Sequence, residues 1–326
     1  RGAHQATLDP IAARRPDAGQ YMWSEQGSGR GHVGSGAPAG WGWGNTSAAA
    51  LLSYDIPHKA PWGWEVGLYT WTKGIAAGAY LVAVILGLAG SLSWSGPLMT
   101  WAAPLASGVF LAVTGLILVL DLTHPARFLL IFRRPQWKSW LVRGAVVLTA
   151  YGVILGVHLL SGFVGSEPLR KATAVLGVPL GAMTAIYTAY LFAQSKGRDL
   201  WQSPLLPPHL LVQAVLAGAA TLLLLAALLE SEALRPLSLL LAAACGTHLL
   251  MVVGEITLPH GSAHARLAVW ELTRGRFRRF FWAGAALVAL GLAAPFVGAW
   301  ASPLALAGLL AYEHAYVQAG QVVPLA

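Results

Sequence analysis

Three polar residues recur at every fourth position near the start of the first long apolar stretch: Glu65, Tyr69 and Lys73. Residues four apart lie on the same face of a helix, so the three side chains form one polar stripe. A carboxyl, a phenol and an ammonium group in this arrangement can bind a polar ligand and exchange protons with it. The alternative is an interfacial Glu/Lys arrangement whose charged ends reach water at a membrane surface.

Other ionisable residues also fall within apolar stretches. His248 and Glu255 are seven residues apart and therefore share a helix face, and His158 lies in an earlier stretch. A charged side chain at mid-bilayer costs at least ~2.5–3.5 kcal/mol, so a carboxyl at this depth indicates a proton relay or a ligand site. Two alternatives remain: the histidines could form hydrogen bonds between packed helices, or His158 and His248 could ligate a haem.

Eight apolar stretches must position these side chains. A bilayer core of ~30 Å needs ~20 apolar residues per helix, and Leu/Ala/Val runs without alternation favour helices over barrel strands. The sequence therefore predicts an all-α, polytopic membrane protein with eight transmembrane helices in two four-helix bundles. The predicted helices lie near 66–90, 98–120, 140–163, 172–194, 205–229, 236–257, 280–300 and 303–322.

The composition narrows the classes of function. Of 326 residues, 56% are hydrophobic and 10% are charged, which is unusual for a soluble domain. The formal charge of +8 does not indicate nucleic-acid binding, because the basic residues lie in short loops between apolar stretches. The single cysteine, Cys245, cannot build an iron–sulfur cluster or an internal disulfide by itself. Any iron–sulfur cluster that works with this chain must belong to another subunit.

The charge distribution predicts the orientation in the membrane. With eight crossings, both termini and the basic loops share one side, and the positive-inside rule places that side in the cytoplasm. The alternative is that a basic loop forms a docking surface for a partner. The basic residues on this side are Arg127, Arg133, Arg134, Lys138, Lys196, Arg198, Arg266, Arg274, Arg276, Arg278 and Arg279.

The sequence divides into two regions. Residues 1–60 are rich in Gly and Trp and contain no apolar core of a signal peptide, and residues 61–326 hold the apolar stretches. We predict that the first region is an extramembrane arm that contacts partner subunits. The alternative is an arm that folds over its own helices.

Several segments, taken in order, resemble one family. The loop after the second stretch reads Asp121-Leu-Thr-His124-Pro-Ala-Arg127-Phe128, the first stretch begins Trp64-Glu65, and the fourth contains Ile186-Tyr187-Thr188. These segments resemble motifs of the NrfD-like, polysulfide-reductase-type membrane subunits of molybdopterin iron–sulfur oxidoreductase complexes. The resemblance extends from about residue 54 to the end of the chain.

The resemblance implies a quinone-reactive anchor in the inner (plasma) membrane of a prokaryotic cell. Such an anchor binds no haem and takes menaquinone or ubiquinone as its substrate. It partners an iron–sulfur subunit, which is connected to a molybdopterin catalytic subunit. The quinone positions implied in this sequence are Glu65, Tyr69 and Tyr187. The chain departs from the pattern at Glu65 and Tyr69, where an Asn and a His align, and at His124, which replaces an Arg.

The resulting hypothesis assigns a role to each candidate residue. Tyr69 and Tyr187 hydrogen-bond the quinone oxygens, while Glu65 with Lys73 supplies protons. Asp121, His124 and Arg127 contribute to the quinone site and shape the docking loop or the proton entry. His158, His248 and Glu255 form a relay that can translocate protons. Two alternatives from other classes are a haem b cytochrome anchor and a secondary transporter or ion-conducting bundle. The latter would use Lys73, Glu255 and Glu313 as coupling groups.

Overall fold

A computed structural model describes residues 62–122, 124–125, 128–260 and 262–323. Regular structure in this part of the chain is helical, which confirms the predicted all-α class. The predicted arm at 1–60 lies outside the described residues. The α-helices are α1 (Trp64–Leu88), α2 (Ala103–Leu120), α3 (Leu130–Arg133), α4 (Trp140–Phe163), α5 (Glu167–Ala193), α6 (Leu206–Leu229), α7 (Leu234–Thr257), α8 (Ala263–Thr273), α9 (Arg278–Leu290), α10 (Ala294–Val297) and α11 (Ala301–Val322).

Seven helical stretches within the described residues are long and apolar enough to cross a membrane. The last of them, Arg278–Val322, has 45 residues and contains α9, α10 and α11. It turns back at Gly298, whose φ of 61° is a left-handed conformation that favours glycine. The arms on either side of the turn then pack against each other, because a Cβ on Gly284 would come within 2.8 Å of the Gly308 carbonyl oxygen.

The start of α5 differs from its prediction. Hydropathy predicts a start at residue 172, whereas the helix begins at Glu167. The Ser166 hydroxyl caps it by accepting a hydrogen bond from the Leu169 amide, and Glu167 pairs with Lys171 at 2.7 Å. Arg170 is buried because its guanidinium donates to the Trp94 carbonyl and the Thr100 hydroxyl. The charged residues therefore belong to the helix.

Helix α1 lies at the centre of the bundle, and most of its residues are buried. It packs against α2, α5, α6 and α11. Its backbone touches that of α6 where Gly78 meets Gly218, since a Cβ on Gly78 would lie 1.7 Å from the Ala214 carbonyl oxygen. Helix α1 therefore contacts four other long helices of the described region.

Replacing Gly78 by Ala should lower the free energy of unfolding by about 1–3 kcal/mol, because the added methyl group forces α1 and α6 apart. The measurement is the thermal unfolding midpoint of the purified protein in detergent. Gly108→Ala on α2 is the matched control, because a Cβ there meets no atom within 4 Å. Equal unfolding midpoints for the two variants would contradict the close helix contact.

The start of α1 and the end of α11 lie side by side. The Trp62 amide donates to Gln321 Oε1 at 3.1 Å, and Gln318 Nε2 donates to the Gly63 carbonyl at 2.9 Å. The Trp62 ring also stacks on Trp201 with centroids 4.7 Å apart. Both ends of the described region thus meet at one surface of the bundle, which is also where the predicted polar stripe begins.

Candidate functional site

An apolar cleft of about 190 Å³ lies between α2 and α4 and is bordered by the segment 128–132 that connects them. Its lining is dominated by aliphatic and aromatic carbon atoms, and the exposed Thr149 on α4 marks its outer edge. Because α2 and α4 carry exposed apolar side chains, the cleft opens toward the lipid. The lining includes Leu111, Gly115, Leu118, Ile131, Leu148 and Tyr187.

Tyr187 forms the inner wall of this cleft. Its ring packs on Gly144 of α4, where a Cβ would come 2.4 Å from the ring, so only a glycine allows this contact. The Tyr187 hydroxyl is buried and has no hydrogen-bond partner. A buried polar group left unpaired costs about 1–3 kcal/mol, and such a group in a native structure requires an explanation. A bound ligand that accepts a hydrogen bond would provide it.

Two members of the polar stripe lie behind Tyr187. Lys73 is 1% exposed, its ammonium lies 5.3 Å from the Tyr187 ring centroid, and it donates to the Ala185 carbonyl at 2.6 Å. Tyr69 is also buried and lies close to Tyr187 and Thr188. The structure therefore brings together Tyr69, Lys73 and Tyr187. The interfacial alternative requires the Lys73 ammonium to reach water at the membrane surface, whereas here it is buried.

The remaining predicted quinone residues lie nearer the surface. Glu65 is half-buried and interacts electrostatically with Asp121, which follows α2 and is exposed. Partial burial first, and the Glu65 carboxylate second, raise the pKa of Asp121 above its ordinary value. His124 is exposed, and Arg127 lies outside the described residues. None of Glu65, Asp121 and His124 is part of the described cleft lining.

A second polar cluster lies between α6, α7 and α11. His209 Nε2 and His248 Nδ1 share a hydrogen bond of 2.9 Å, and the Tyr312 ring lies edge-on to His248 with centroids 4.8 Å apart. Sequence reasoning missed His209 and Tyr312, and it named the neighbouring Glu313 only for the transporter alternative. One signal was present, since His209 and Gln213 are four residues apart and share a face of α6.

Glu255 connects this second cluster to a surface depression. Its Oε2 accepts a hydrogen bond of 3.4 Å from Ser203, and its carboxyl lies near Tyr312. The depression has a volume of about 620 Å³ and is also lined by Asp199 and His260. Burial lowers the pKa of His260 below its ordinary value. His248 and Glu255 therefore both lie near Tyr312.

His158 belongs to a different cluster. Its Nδ1 shares a hydrogen bond of 2.9 Å with the Tyr80 hydroxyl, and its Nε2 bonds the Met99 carbonyl at 3.0 Å. The structure thus does not bring His158 together with His248 and Glu255. Both ring nitrogens of His158 are engaged by protein groups, which gives no support to a haem held by His158 and His248. Among the described residues, no group of three or more His, Cys, Asp or Glu side chains could hold a metal ion.

These features define a class of protein: a polytopic helical membrane protein with a lipid-facing apolar cleft and ionisable side chains inside the bundle. A family model described as polysulphide reductase, NrfD, matches residues 54–307. The chain therefore belongs to the NrfD family, and the resemblance drawn from the sequence is confirmed.

Individual relatives agree with this assignment. The protein is 28% identical to one of the polysulfide reductase chains of Wolinella succinogenes, with 80% of this protein and 94% of the relative covered. It is 24% identical to protein NrfD of Escherichia coli strain K12, with 72% and 82% covered. It is also 24% identical to a putative dimethyl sulfoxide reductase membrane subunit of Halobacterium salinarum, over 49% of this protein and 44% of the relative.

Proposed function

We propose that this chain is the membrane anchor and quinone-reactive subunit of a multi-subunit oxidoreductase. The observation that carries the proposal is the apolar cleft whose inner wall is Tyr187, a residue with a buried and unpaired hydroxyl, with Lys73 and Tyr69 close to it. A quinone combines an apolar ring and tail with two oxygens that accept hydrogen bonds. The cleft offers apolar walls to the ring and phenol donors to an oxygen, and it opens toward the lipid in which quinones dissolve.

The partners follow from the composition and the relatives. Two relatives are named as parts of polysulfide and dimethyl sulfoxide reductases. The chain has one cysteine, which is buried, so electrons must come from or go to a cluster on another protein. We propose an iron–sulfur subunit that is connected to a molybdopterin catalytic subunit, in the inner membrane of a prokaryote. The arm at 1–60 and the loop that contains Asp121, His124 and Arg127 would contact that partner, with the basic loops in the cytoplasm.

The proposed chemistry moves two electrons and two protons, because a quinone becomes a quinol when both of its oxygens are protonated. Tyr187 and Tyr69 donate hydrogen bonds to the quinone, and Lys73 lies against the Tyr187 ring, where its charge stabilises electron density on the phenol. Glu65 and Asp121 form the loop-side proton entry, and His248 and Glu255 form a separate inner route. His158 would belong to neither route, because it is hydrogen-bonded to Tyr80 in a separate cluster.

We also propose that the protein crosses the membrane eight times. The eight helices would form two bundles of four, which contact each other through α1 and α6. An even number of crossings is supported by the adjacent ends of α1 and α11. The two arms of the last apolar stretch, on either side of Gly298, would then be the seventh and eighth crossings.

Replacing Tyr187 by Phe should raise the KM for quinone about tenfold, because one hydrogen bond of about 1.4 kcal/mol is lost. The measurement is steady-state quinone turnover by the complex assembled with its partner subunits. Tyr190→Phe is the matched control, since Tyr190 lies on the same helix but stacks on Trp140 with ring centroids 4.4 Å apart. Equal KM values for the two variants would contradict the assignment. Ion transport by a protein that purifies without partners would favour the transporter alternative.

A further inference from the structure

A small cavity lies among buried side chains beside the second polar cluster. It has a volume of about 10 Å³ and lies between α1, α5, α6 and α11, which is close to the space that one water molecule needs, ~10–15 Å³. Its polar walls are the side chains of His209, Gln213, Tyr312 and Glu313, which are 2%, 3%, 1% and 4% exposed.

Three of these side chains have polar atoms without a hydrogen-bond partner: Gln213 Oε1, the Tyr312 hydroxyl and Glu313 Oε2. More than nine in ten buried polar groups are paired in native proteins, so three unpaired atoms around one cavity indicate a shared partner. A water molecule can satisfy two to four such groups at once. A carboxyl group beside an ordered water can also give up or take back a proton without moving its side chain.

The cavity is connected in two directions. Toward the cleft, Glu313 interacts electrostatically with Lys73, whose ammonium lies over the Tyr187 ring. Toward the surface, the Tyr312 ring lies beside His209 and His248, and Tyr312 is close to Glu255 at the depression. The titratable groups around Glu313 thus come from α1 (Lys73), α6 (His209) and its own helix (Tyr312 and Tyr316).

We propose that Glu313 and a water molecule in this cavity form an internal proton reserve for the quinone site. The inference rests on the proposed function. When quinone takes two electrons from the partner's iron–sulfur cluster, one of the two protons that it consumes comes from the Glu313 carboxyl group by way of Lys73. The second proton enters from the loop side at Glu65 and Asp121. The Glu313 carboxylate then regains its proton through the water, the His209–His248 pair and Glu255.

The decisive variant is Glu313→Gln, which keeps the shape of the side chain and removes its titration. Redox-induced infrared difference spectra of the assembled complex should show a carboxylic acid band in the native protein that is absent from this variant. Quinone turnover should fall about tenfold, equivalent to about 1.4 kcal/mol in the barrier, and Glu313→Asp should restore part of it. Glu232→Gln, at an exposed position in the short 3-10 helix between α6 and α7, is the matched control and should behave as the native complex does.

The cavity itself is tested by Gln213→Leu, which replaces one polar wall by an apolar one. Infrared spectra recorded in water labelled with oxygen-18 should show an internal water band in the native complex that this variant lacks. This variant also serves if Glu313→Gln fails to assemble. An unchanged carboxyl band in Glu313→Gln, or an unchanged water band in Gln213→Leu, would overturn the proton reserve while leaving quinone turnover by the native complex intact. Absence of native turnover would instead overturn the proposed function.

Discussion

Replacing Thr149 by Trp should raise the KM for quinone about 10- to 100-fold in the assembled complex. Thr149 lies at the outer edge of the cleft, and an indole ring there would occupy much of its roughly 190 Å³. A quinone ring that can no longer be buried in the cleft loses ~1.5–3 kcal/mol of favourable free energy. Each 1.4 kcal/mol corresponds to a factor of about ten in affinity. The measurement is quinone turnover over a range of quinone concentrations.

The matched control for this variant is Val153→Trp. Val153 lies one turn further along α4, is 61% exposed and does not line the cleft. It therefore adds the same indole to the same helix at a lipid-facing position. Electron transfer from the catalytic partner to a soluble dye should stay normal in both variants, because the partner's cofactors are not touched. If the two Trp variants have the same KM for quinone, the cleft is not the quinone site.

The sequence predicted the helices well where their ends are marked by a change of polarity. The predicted range 140–163 coincides with α4, because charged and turn-forming residues border a predominantly apolar run. The start of α5 was predicted too late, since hydropathy counts Arg170 as a loop residue whereas the folded chain satisfies its guanidinium with Trp94 and Thr100. Hydropathy averaged over neighbouring residues cannot detect hydrogen-bond partners that are distant in the sequence.

The same distinction applies to the candidate site. The four-residue spacing places Tyr69 and Lys73 on one face of α1, and the resemblance to the NrfD-like subunits adds Tyr187. The cleft beside Tyr187 was not predictable, because its walls come from α2, α4 and the segment between them. The pairing of His209 with His248 was missed for the same reason, since 39 residues separate the two rings in the sequence. Contacts between helices depend on how the bundle packs.

Replacing Lys73 by Met should reduce quinone turnover about a hundredfold, the lower end of what a positioned proton-transfer group contributes. Met has a similar length and fills the same space without a charge. The variant removes the ammonium that lies over Tyr187 and donates to Ala185, and with it the proposed link to Glu313. Lys171→Met is the matched control, because that lysine is half-exposed at the opposite end of the bundle, where it pairs with Glu167.

A second substitution separates a chemical role of Lys73 from a structural one. Lys73→Met leaves the Glu313 carboxyl group without its nearby positive charge, and a buried polar group that loses its partner costs about 1–3 kcal/mol. Adding Glu313→Gln removes the uncompensated carboxyl group, so the thermal unfolding midpoint should recover in the double variant. Turnover should not recover, because neither proton-transfer group is then present. If turnover returned together with stability, Lys73 would act only by supporting the packing around Tyr187.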